Sequence, residues 1–159
     1  MRNTITILNY LLNIKKNNSG FTLFEMLLAV SVFAIIGVIS APVYIGFKTR
    51  NDVDSAATIT ASALRRASVL SQSMQNDSSW GVLATTSEII IFSGGSYALR
   101  NPIYDESKNI VSSIQISGKS ELVFAKFTGM PISTGTLIFT SLSGETRNVS
   151  INEKNVISY

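Results

Sequence analysis

One ionisable side chain, Glu25, stands inside an apolar run that begins just after Gly20, in the stretch SGFTLFEMLLAV (19–30). A carboxylate in hydrocarbon is costly and needs a partner or a route to the interface, so pairing is the chemistry it invites. Other residue types offer less. The sequence has no histidine and no cysteine, which removes the commonest zinc ligands, the usual nucleophile and base pairings, and disulfides. The acids Asp52 with Asp54 and Asp105 with Glu106 lack further oxygen ligands at loop spacing and read as solvated surface rather than a cation site. SGGS (93–96) lacks the lysine and helix of a phosphate loop, while NDS (76–78) and NVS (148–150) match only the short glycosylation acceptor pattern. The reading is a non-enzyme without metal or small-molecule cofactor.

The element that must hold Glu25 is legible from composition. Residues 26–47 carry no charge over 22 positions, and as a helix they span about 33 Å, enough to cross a bilayer once. A water-soluble helix would keep a polar stripe, and this run has only scattered Ser and Gly. Arg2, Lys15 and Lys16 precede it without an acid, whereas Lys48 and Arg50 beyond it are offset by Asp52 and Asp54. The positive-inside bias predicts a single-pass membrane protein with a cytoplasmic N-terminus and an exported remainder. No small-residue cleavage pattern follows the apolar run, so an ordinary secretory signal is not expected.

The charge balance follows the same division. The whole chain has 13 basic and 10 acidic residues. Its first twenty residues hold three of the bases and none of the acids, leaving ten against ten in the remainder. A neutral exported part argues against a surface that coats nucleic acid.

After the membrane segment, Val53, Ala56, Thr60, Ala63, Ala67, Leu70 and Met74 recur at spacings of three and four, with Ala57 and Leu64 widening the stripe. Arg65, Arg66 and Gln72 project elsewhere, and the small residues of the stripe suit close packing on a sheet. The two stretches are expected to run as one helix from about 21 to 75, bent at Pro42, which lacks a backbone donor. Beyond residue 76 the texture turns to short β-rich runs: WGVLAT, EIIIFS, SYALR, NIVSSIQI, ELVFAKF, TLIFTSL and RNVSIN. SGGS (93–96) and SLSGET (141–146) are the expected hairpin connections. The predicted fold is α+β: a long N-terminal helix, half transmembrane and half amphipathic, whose second half packs on a C-terminal antiparallel β-sheet head.

Gly20, Phe21, Thr22, Leu23, Phe24 and Glu25, preceded by lysines and followed by about twenty apolar residues, resemble the leader junction of type IV pilin-like proteins. Pro42 is similar to the helix-breaking proline of those subunits. The resemblance implies cleavage between Gly20 and Phe21 by a membrane prepilin peptidase and methylation of the new amine at Phe21. It also implies hand-over to other pilins at an inner-membrane assembly platform. The implied organisation is a leader at 1–20, a transmembrane and assembly helix at 21–47, an amphipathic helix at 48–76 and a β-rich head at 77–159. The later sequence, with a Trp-Gly strand after the helix and a closing hairpin, looks like the minor-subunit group called GspH/FimT-like. Members of that group commonly place glycine in the last turn; here Asn155 is expected to take the positive-φ position.

Two functions are compatible with these residues. One is a structural or initiating minor subunit of a type IV pilus or type II secretion pseudopilus, moving from membrane lipid into a filament and exposing its head in the periplasm or at the cell surface. In it, Glu25 pairs with a Phe21 ammonium; the simpler reading has Glu25 reach the headgroups. The other is a DNA-binding minor pilin of a competence pilus, with Arg65, Arg66, Lys119, Lys126, Arg147 and Lys154 as candidate phosphate contacts. Their ordinary reading as solvated charges is favoured by the neutral balance.

Overall fold

A computed structural model describes residues 20–159; the leader expected at 1–20 lies, apart from Gly20, outside the described residues. The chain divides into two units, Met1–Ala41 and Pro42–Tyr159, each described by itself. One helix, α1 (Leu23–Gln72), contains Pro42 and contributes to both.

In the first unit, the described side chains of α1 all face outward, with Phe33 73% and Val38 77% exposed. The hydroxyls of Ser31 and Ser40 are turned back onto the helix, donating to the carbonyls of Leu28 and Ile36. Serines so bonded present no unsatisfied polar group to an apolar surrounding.

In the second unit the helix reverses its character. Val53, Ala56, Ala57, Thr60, Ala63, Leu64, Ala67 and Leu70 are all buried, as the spacing predicts. Their small side chains let the helix approach the sheets closely, while Arg65 and Arg66 stay outside. Met74 continues the stripe in sequence but not in space. The helix ends at Gln72, and Met74, Asn76 and Asp77 all take positive φ (54°, 56° and 54°). Asn and Asp tolerate that conformation. The chain thus leaves the helix ahead of the run NDSS, with Met74 itself left-handed and 42% exposed.

Eight antiparallel strands follow: β1 (Trp80–Ala84), β2 (Glu88–Ser93), β3 (Glu106–Asn109), β4 (Gln115–Gly118), β5 (Glu121–Phe124), β6 (Gly135–Thr140), β7 (Thr146–Ile151) and β8 (Ile157–Ser158). They form two four-stranded sheets, ordered β3-β2-β1-β5 and β4-β6-β7-β8. Trp80, Val82, Ala84, Ile89, Ile91, Leu122 and Phe124 of the first sheet join Leu137, Phe139, Val149 and Ile151 of the second in one core with the helix stripe. The predicted α+β class, a long N-terminal helix packed on antiparallel sheet, is the fold observed.

Two expectations fail together. SYALR is not a strand: Tyr97–Leu99 form a single 3-10 turn, so SGGS does not close a hairpin. Tyr97 and Leu99 imitate a two-residue period, yet Leu99 is 82% exposed. Tyr97 instead lies edge-on to Phe92 at 5.6 Å, and the Arg100 guanidinium sits 3.7 Å above its ring. This stack covers the first sheet's other face. Phe92 pairs with Gly81 across β1 and β2, and a Cβ on Gly81 would come within 2.4 Å of the Phe92 ring. The Trp-Gly sequence therefore has a steric cause: the glycine makes room for the ring. NIVSSIQI is strand only at its ends, Asn109 closing β3 and Gln115 opening β4. SLSGET forms the predicted hairpin, with Thr140 opposite Thr146.

The helix and sheets are also joined by two buried serines three residues apart. Ser71 Oγ accepts the Trp80 N–H at 2.8 Å and donates to the Phe124 carbonyl at 3.2 Å. Ser68 Oγ donates to the Gly129 carbonyl and accepts from Asn155 Nδ2, both at 2.8 Å. Asn155 takes φ 60° as expected, closing the turn between β7 and β8.

Candidate functional site

The N-terminal residues are assembled by helix-end chemistry. Thr22 precedes the first residue of α1, where backbone N–H groups lack partners within the helix. Its hydroxyl accepts the Glu25 N–H at 3.2 Å, and Glu25 Oε2 accepts both the Thr22 N–H and the Thr22 hydroxyl at 2.9 Å. This is a reciprocal capping box, a Thr followed three residues later by Glu. Thr-x-x-Glu ahead of an apolar run is a helix-start signal, so Thr22 is legible in the sequence as a partner for Glu25.

Both bonds fall on one carboxylate oxygen. Among the described residues Glu25 Oε1 has no partner, so the group keeps a lone-pair face open to a donor from elsewhere. Gly20 and Phe21 lie ahead of the helix, Phe21 being 82% exposed. A Cβ placed on Gly20 would meet nothing within 4 Å. Among the described residues nothing imposes a steric reason for glycine there, in contrast to Gly81. Pro42 sits inside α1 and opens the second unit.

The six basic candidates for phosphate contact divide by their partners. Arg66 forms a two-pronged pair with Glu106, Nε to Oε2 and Nη2 to Oε1, each at 2.7 Å. This bonding holds the Glu106 carboxyl below its ordinary value, against a weaker opposing effect of burial, and raises the Arg66 guanidinium. Arg147 pairs with Asp54, and Lys126 with Asp77. Arg65 lies 5.4 Å from the Tyr159 ring centre. Lys119 and Lys154 make no ion pair among the described residues. The acids set aside as candidate cation ligands are engaged in the same way: Asp52 with Lys48, Asp54 with Arg147, Asp105 with Arg100 and Glu106 with Arg66.

Comparison with known proteins bears on both ends of the chain. Residues 15–41 match the prokaryotic N-terminal methylation motif. No curated protein matches the chain in sequence. In structure, the chain is similar to the minor pseudopilin EpsH from the type 2 secretion system of Vibrio cholerae, with a TM-score of 0.52 at 12% identity. The alignment covers 67% of this chain and 94% of that one. The chain thus carries a prokaryotic N-terminal methylation motif over residues 15–41 and shares its fold with that minor pseudopilin.

Proposed function

We propose that the protein is a minor pilin or pseudopilin, a structural or initiating subunit of a type IV pilus or a type II secretion pseudopilus. The observation that carries this reading is the contrast within α1. Its second half completes a closed core, whereas its apolar first half, charged only at Glu25, is exposed throughout the described residues. An apolar helix surface of that extent needs lipid or neighbouring helices to cover it. A subunit that waits in the inner membrane and then joins a bundle of like helices uses both coverings in turn.

On this reading the peptidase cuts between Gly20 and Phe21, and a glycine that no described residue crowds supports selection by the enzyme's site. The new amine at Phe21 is methylated. Glu25 Oε1 then receives a Phe21 ammonium, while Oε2 remains in the cap with Thr22. In the head, Arg66, Lys126 and Arg147 already have carboxylate partners. That engagement favours the structural role over the DNA-binding alternative, because a phosphate would have to displace each carboxylate.

Intact-mass measurement of the protein from cell envelopes tests the reading. The expected species begins at Phe21, has 139 of the 159 residues and carries one added methyl group. Gly20→Ala should accumulate uncut. Retention of the first twenty residues in cells with an active prepilin peptidase, or normal maturation of Gly20→Ala, would overturn it.

A further inference from the structure

The geometry points to a second membrane contact in the head: the tip of the β6–β7 hairpin, led by Leu142, rests in the lipid interface beside the exit of α1 while the subunit is in the membrane. This rests on the membrane-anchored reading above.

Leu142 is 80% exposed. It occupies a tight turn over 141–144, closed by the Gly144 N–H donating to the Ser141 carbonyl at 3.1 Å. Its level along the helix is set by two ion pairs. Arg50 pairs with Glu145 and Asp54 with Arg147. Arg50 to Asp54 is four helical residues, or about 6 Å of rise. Glu145 to Arg147 is two strand residues, or about 7 Å. The matching advances mean that β7 climbs alongside α1, so the turn before Glu145 points back toward the start of the helical segment. Continuing about 5 Å beyond Glu145, the rise of one to two strand residues, corresponds to about three helical residues below Arg50. That is the level of Phe47, the last residue of the uncharged run.

Around this level the second unit has an apolar base. Val43, Tyr44, Ile45 and Phe47 are 51% to 69% exposed. The charges just above are matched, Lys48 with Asp52, Arg50 with Glu145 and Arg147 with Asp54. A lipid contact there is therefore apolar in origin and does not depend on anionic headgroups. The occupant is a lipid surface because the turn lies level with the end of a segment that lipid already covers. Its effect is to limit the tilt and rotation of the head before assembly.

The absence of cysteine makes single-site labelling direct. The mature full-length chain is reconstituted in neutral phosphatidylcholine vesicles, with a nitroxide on Ser143→Cys, Ile35→Cys or Leu99→Cys in separate samples. Collision with oxygen, which partitions into lipid, is compared with collision with a water-soluble nickel chelate. The ratio at 143 should exceed that at 99 severalfold, persist at high salt, and fall to the value at 99 when Leu142→Asp is added. A ratio at 143 equal to that at 99, with 35 in lipid, overturns this inference alone. A water-exposed label at 35 would sink the membrane reading and the inference with it. A high ratio unaffected by Leu142→Asp would also refute the role given to Leu142.

Discussion

Ser71→Ala measures how firmly the helix is joined to the sheet. Ser71 is fully buried, and its hydroxyl serves two strands that pair with each other, accepting from the Trp80 N–H and donating to the Phe124 carbonyl. Alanine removes one oxygen and leaves nearly the same volume, so the loss is polar rather than a packing defect. Two buried backbone groups then lack a partner, each costing about 1–3 kcal/mol if left bare. The carbonyl bond is long at 3.2 Å, and a carbonyl tolerates one empty lone pair, so the N–H dominates. The expected cost is about 2 kcal/mol. For a unit of this size that lowers Tm by about 8 °C. The assay is thermal unfolding of a fragment starting at Lys48, followed by the fluorescence of Trp80, the chain's single tryptophan, which is 2% exposed. Ser62→Ala is the control, since that exposed hydroxyl only donates back to the Thr58 carbonyl of its own helix. Equal Tm values for the two variants would refute the argument that Ser71 ties the elements together.

Three further outcomes are expected. Processed Glu25→Gln should remain in the membrane yet enter filaments poorly when co-expressed with partner pilins and the sheared filaments are quantified; normal incorporation would leave capping as the residue's whole role. The head should lose a small part of its stability as pH falls through the depressed Glu106 pKa, below the ordinary 4.5, because a carboxylate stabilised in the fold contributes only while ionised. With both partners of the Arg66 pair more than a third exposed, the contribution is below about 1 kcal/mol, and Glu106→Gln should flatten that part of the acid unfolding profile. Residues 48–159 should bind duplex DNA weakly or not at all at moderate salt; sub-micromolar, salt-sensitive binding reduced by changes at Lys119 and Lys154 would reinstate the DNA-binding alternative.

What the sequence revealed and what it hid differ by how local the cause is. The helix stripe from Val53 to Leu70 was readable because its period is set by one element facing one core. EIIIFS was readable because both of its faces are covered, one by the core and one by the Tyr97 stack. β3, by contrast, is ESKN, a polar edge strand with no apolar period. It exists because β2 offers a free edge and Arg66, forty residues earlier, holds Glu106. β8 is two residues long and depends on the Asn155 turn. Tyr97 misled because its partners, Phe92 and Arg100, make a stack rather than a ladder. At the N-terminus the Glu25 carboxylate is conspicuous in the apolar run, and the Thr-x-x-Glu spacing that marks Thr22 as its partner is equally local, set by one helix end.

On the proposed reading, the exposed half of α1 also constrains what can move the subunit from membrane to filament. Lipid tails are as apolar as neighbouring helices, so residues 26–47 gain little hydrophobic free energy by exchanging one for the other. Ser31 and Ser40 are already bonded to their own helix and gain little either. Glu25 is different, because one of its oxygens is held by the cap and the other lacks a partner among the described residues. An ammonium brought to that oxygen by a neighbouring chain would improve the surroundings of a charge that lipid solvates badly. On that reading the single acid in the apolar run is the group of this segment whose free energy changes most on assembly, and the shape of the remaining side chains decides only how closely the helices pack around it.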